Sequence, residues 1–116
     1  MDAEFLKQKF FAGLTYDAYV ATGNESQRQR WNAVYQAAGL SEAQRSLVSS
    51  FTREMNLLVV SGVWCGDCIE QVPLIQRIAE AGRRINLRIV DRDQHADLSG
   101  RVHINGGARV PVVLFL

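Results

Sequence analysis

The sequence predicts an α/β domain with a helical N-terminal extension, on three observations. An apolar run at residues 57–60 is followed by a helical pattern and then by an alternating run at residues 85–90. A strand–helix–strand succession of this kind closes as a right-handed parallel unit. Residues 110–116 supply a third strand, and residues 1–54 carry helical periodicity throughout. The chain of 116 residues is long enough for one compact domain, and 47% of it is apolar, which suits a packed core rather than disorder.

The elements follow in order. Phe5, Leu6, Phe10 and Phe11 form an apolar stripe at helical spacing. Thr15, Tyr16, Tyr19 and Val20 make a second short helix that Gly23 would stop. Asn24 with Gln27 and Ser41 with Gln44 are capping-box pairs. The helix after Asn24 buries Trp31, Val34, Tyr35 and Ala38, and the helix after Ser41 buries Leu47, Val48 and Phe51. These aromatics are read as core.

Residues 57–60 form a strand covered on both faces. A turn through Gly62 leads into a helix from about Cys65 to Ala81, with Ile69, Val72, Leu74, Ile75 and Ile78 on its apolar face and Pro73 inside it. Pro73 removes a backbone donor and should kink the helix. Residues 85–90 form the second strand, residues 94–101 a short helix or turn, and Asn105-Gly106-Gly107 a turn. The third strand opens with Val110-Pro111, a position where proline costs no interior ladder bond.

Composition narrows the function. The formal net charge is +1, so no basic field invites nucleic acid. No run approaches the roughly 20 apolar residues that span a bilayer, and the N-terminus lacks a secretion signal. A cytoplasmic location is expected. Cys65 and Cys68 are the only cysteines, too few for a disulfide scaffold. A close pair in a reducing compartment is catalytic, redox-sensing or metal-binding. His95 and His103, the only histidines, do not have ligand spacing to the cysteines, so no metal site is expected. No cofactor is expected either.

The motif Trp64-Cys65-Gly66-Asp67-Cys68 carries the chemistry. The attacking species in disulfide exchange is a thiolate, and a helix N-terminus favours one. Cys68, one turn on and more buried, can attack a mixed disulfide on Cys65 and release the reduced substrate. Asp67 should oppose the thiolate, whereas Arg109 would favour it if the third strand brings it near. Trp64 shields the sulfur with apolar surface. Glu70 and the Asp91-Arg92-Asp93 segment are read as solvated charge.

The strand, the Cys-Gly-Asp-Cys motif, Pro73 in the helix and Val110-Pro111 before a later strand together resemble the thioredoxin superfamily over residues 55–116. The resemblance implies a thioredoxin-like fold, a central mixed sheet flanked by helices, with residues 1–54 as an extension packed on it. It implies thiol–disulfide oxidoreductase activity through Cys65 and Cys68. It further implies a cis Val110–Pro111 bond beside the cysteines, and a substrate rim of Trp64, Gly66, Asp67, Val110 and Pro111. Substrates would be protein or small-molecule disulfides, with a reductase or a low-molecular-weight thiol as electron donor. The alternatives are a non-catalytic interaction or redox-sensing module and a dithiol metal-binding module.

Three departures stand out. Asp67 replaces the family's usual proline. Val59 stands where thioredoxin has the buried aspartate that helps deprotonate the second cysteine, so Cys68 needs another group. The family's last strand and helix would be missing after Leu116. The third strand would then be an open apolar edge, and such edges pair with other chains; self-association as a homodimer is expected there.

Overall fold

The computed structural model describes residues 1–102, 107 and 109–116. The predicted turn at Asn105-Gly106 and the histidine at 103 lie outside the described residues. Four helices come first: α1 (Ala3–Ala12), α2 (Tyr16–Val20), α3 (Glu25–Ala37) and α4 (Glu42–Ser49). They lead into β1 (Met55–Ser61), α5 (Gly66–Ala81), β2 (Ile85–Asp91), α6 (Ala96–Ser99) and β3 (Val112–Phe115).

The helix starts follow from local chemistry. Each exposed N-terminal N–H needs an acceptor, and a short polar side chain just before the helix supplies one. Asn24 and Ser41 close full capping boxes with Gln27 and Gln44, and Asp2 and Thr15 cap α1 and α2.

The three strands lie in the order β2-β1-β3. β1 runs parallel to β2, with Ser61 opposite Asp91, and antiparallel to β3. The sheet is therefore mixed, flanked by helices, as the sequence and its resemblance imply. The outer edge of β2 is met by Leu14, which exchanges both backbone hydrogen bonds with Ile89 at 2.9 and 2.8 Å. β3 lies at the other edge.

Side chains alternate across β1 and split the core into two layers. Leu57 and Val59 pack with Tyr16, Tyr19, Val20, Trp31, Cys68, Ile69 and Val72 from α2, α3 and α5. Leu58 and Val60 pack on the opposite side with Phe10, Val90 and Leu98. The first layer thus draws its residues from both sides of position 54. Trp31, fully buried, also donates its indole Nε1–H to the Val63 carbonyl at 2.8 Å.

Several expectations need correction. Phe11 is 72% exposed, because it sits about 100° around α1 from buried Phe10. Leu47 is exposed on α4, a peripheral helix with no buried residue. Leu74 is exposed as well, leaving Cys68, Ile69, Val72, Pro73 and Ala79 as the buried side of α5. The third strand begins at Val112, so Val110 and Pro111 lie in the segment leading into it rather than within it.

Candidate active site

The carboxyl end of β1 delivers the chain to the dithiol. Ser61 closes the strand, and residues 62–64 turn into α5. Gly62 is required by close approach: a Cβ there would lie 2.5 Å from the Trp64 ring. Trp64 is half-exposed, and the Arg92 guanidinium stacks over its indole at 4.7 Å, a cation–π contact.

Cys65 is the N-cap of α5, and its Sγ accepts the Cys68 N–H at 3.4 Å. A cysteine thus occupies the position that serine, threonine, asparagine or aspartate usually fills. Cys65 is half-buried, and its Sγ–H faces the Val110 carbonyl at 3.8 Å. The Val110–Pro111 peptide bond is cis. Both cysteines are free thiols.

Cys68 points inward and is fully buried. Burial pushes its thiol up to about 12, since a thiolate there would lose its water. The Ser61 hydroxyl and the Gly62 backbone oppose that rise. Ser61 in turn accepts the Tyr19 hydroxyl at 3.0 Å. Burial raises the Tyr19 phenol well above its ordinary value, so Tyr19 stays protonated.

Of the residues singled out from the sequence, Trp64, Cys65, Gly66 and Asp67 follow one another along the turn into α5, and Val110, just before Pro111, is brought to Cys65. Gly66 and Asp67 are exposed on the first turn of α5. Glu70 and Arg109 are exposed. Asp91 holds the turn after β2, where its carboxylate accepts the N–H groups of Asp93 and Gln94 at 2.9 and 3.0 Å. Among the described residues, no three His, Cys, Asp or Glu side chains gather as a metal site, and no helix is long and apolar enough to cross a membrane.

Sequence reasoning missed Ser61 and Tyr19. They lie 42 positions apart, and neither carries a motif. The available signal was indirect: a valine at position 59 leaves the second cysteine without the family's acid, so another polar group should be sought on the same strand.

A mixed sheet whose first strand feeds a cysteine-capped helix, opposite a proline-led strand, defines an α/β dithiol domain. The family model for thioredoxin matches residues 13–116, and the chain belongs to the thioredoxin family. Two crystal structures share its fold. An HIV epitope scaffold superimposes with a TM-score of 0.81 at 24% identity, covering 95% of this chain and 68% of its own. A protein of unknown function from Pseudomonas aeruginosa gives 0.80 at 24% identity, with 92% and 66% coverage. The chain thus spans about two thirds of each relative's length. No curated protein sequence matches it.

Proposed function

We propose that this protein is a thiol–disulfide oxidoreductase that reduces protein or small-molecule disulfides. The observation that carries the proposal is the inequality of the two thiols. Cys65 caps a helix and is half-buried, whereas Cys68 is fully buried one turn on. One sulfur can meet a substrate and the other can only meet the first.

The exchange then runs in two steps. The Cys65 thiolate attacks one sulfur of the substrate disulfide, the substrate S–S bond breaks, and the departing sulfur takes a proton from water. The charge that Cys65 Sγ carries before it attacks meets the Cys68 N–H already aimed at it. Cys68 next attacks Cys65 Sγ, the second substrate sulfur leaves as a thiol, and a Cys65–Cys68 disulfide remains. Two electrons pass from the dithiol to the substrate. A reductase or a low-molecular-weight thiol, acting in the cytoplasm, restores the dithiol. Trp64, Gly66, Asp67 and the backbone at Val110-Pro111 form the substrate rim.

Dithiothreitol-driven insulin reduction tests the assignment. The protein should accelerate insulin precipitation, Cys65→Ser should abolish the effect, and Cys68→Ser should accumulate a covalent complex with substrate. A Cys65→Ser variant as active as the parent would overturn it. A reduction potential near about −270 mV would mark a reductant, and one near about −120 mV an oxidant.

A further inference from the structure

Resting on the oxidoreductase assignment, we infer that the buried Tyr19–Ser61 hydroxyl pair is a positioning device that holds a hydrogen-bond donor against the Cys68 sulfur and so prepares Cys68 to resolve the mixed disulfide on Cys65. Ser61 and Cys68 are fully sealed from solvent and Tyr19 is 2% exposed. Water therefore cannot solvate the charge that Cys68 must carry when it attacks. Val59, two residues earlier on β1, is also fully buried and apolar.

The direction of the chain of hydroxyls follows from counting hydrogens. Ser61 has one O–H and Tyr19 has one. Tyr19 spends its hydrogen on Ser61 Oγ at 3.0 Å. The Ser61 hydrogen is thereby left free to turn toward Cys68, whose charged form its hydroxyl favours. The Gly62 backbone in the same turn also favours a charged Cys68 sulfur. Because Tyr19 stays protonated, it always donates, and Ser61 never has to turn away. Neither hydroxyl takes the proton. In the resolving step the Cys68 proton leaves with the departing substrate sulfur, the Cys65–Cys68 bond forms and the Cys65–substrate bond breaks. The titratable groups facing Cys68 are Cys65 on its own helix turn and Tyr19 from α2, while Asp91 at the end of β2 acts on Tyr19.

The test uses the full chain with dithiobis(nitrobenzoate), which releases one coloured thiolate when Cys65 reacts and a second when Cys68 resolves. Ser61→Ala should leave the first phase unchanged and slow the second about tenfold, the rate equivalent of a lost charge-assisted hydrogen bond. Tyr19→Phe should slow it about threefold, as for a neutral one. Ser61→Thr, which keeps the hydroxyl, should restore the rate. The pH profile of the second phase should move upward in Ser61→Ala, whereas a loss of packing alone would lower the rate equally at all pH values. If Ser61→Ala does not fold, Tyr19→Phe, which keeps the ring, carries the same comparison. A second phase at parental speed and pH in either folded variant overturns the inference while leaving the function intact. Absence of the first phase in the parent removes the oxidoreductase assignment and this inference with it.

Discussion

The two faces of the sheet are built to different standards. On one, α2, α3 and α5 close an aromatic layer in which Trp31 touches Tyr16 and Tyr19, with ring centroids 6.1 and 5.6 Å apart. Tyr35 stacks against Tyr16 and lies under the Arg77 guanidinium. The dithiol belongs to this face. On the other, α1 and α6 cover only Phe10, Leu58, Val60, Val90 and Leu98. An apolar groove of about 480 Å³ remains there, lined by Leu6, Phe10, Phe11, Phe115 and Leu116 among others. The difference teaches where precision is spent: a buried nucleophile needs fixed neighbours, whereas a face remote from the chemistry needs only enough burial to hold the chain.

Truncating the anchor of each face should separate them most. Trp31→Ala should cost about 4 kcal/mol, because it empties a sealed site and orphans the Val63 carbonyl. Phe10→Ala should cost about 3 kcal/mol, since its site borders the groove and can collapse into it. Chemical denaturation measures both, and equal losses would erase the proposed asymmetry.

A finer comparison lies within α2. Tyr19→Phe should cost about 1 kcal/mol through its lost bond to Ser61. The Tyr16 hydroxyl is buried with no hydrogen-bond partner among the described residues. Tyr16→Phe should therefore leave stability unchanged or raise it by about 1 kcal/mol. The two thermal melts should move in opposite directions, or only the Tyr19 variant should move.

The smallest effect is a pH dependence on the looser face. Lys9 bonds Asp97 at 2.7 Å and His95 Nδ1 at 3.2 Å. An ammonium has only donors, so this nitrogen must be the unprotonated one. Burial, and then the Lys9 charge, hold His95 below its ordinary value of 6.5. The unfolded chain thus takes up the proton first as pH falls. Stability from this group is full above pH 6.5 and declines as pH drops from 6.5 through the lower folded value. His95→Asn should flatten that decline in melts between pH 7.5 and 5; an unchanged slope would place the dependence elsewhere.

What was legible in the sequence was local. Capping pairs three residues apart, the cysteine spacing and the β-α-β rhythm depend on neighbours along the chain, and Asn24, Ser41, Cys65 and β1 appear where expected. Apolar character alone misled at Phe11, Leu47 and Leu74, because burial depends on whether a second element arrives to cover a residue. Ser61 and Tyr19 were hidden for the same reason: their meeting is a product of the assembled layers. The candidate dithiol was visible at once, but the environment of its second sulfur was not.

The bond from Trp31 to the Val63 carbonyl has a practical consequence. It ties the middle of the helical half to the residue just ahead of Trp64, so a helix contributed early in the chain steadies the loop that aims the reactive sulfur. A fragment excised from Met55 onward would keep every cysteine and lose that tether. Anyone seeking a minimal version of this protein should expect the shortened chain to lose the aim of its reactive sulfur together with the aromatic cover of β1.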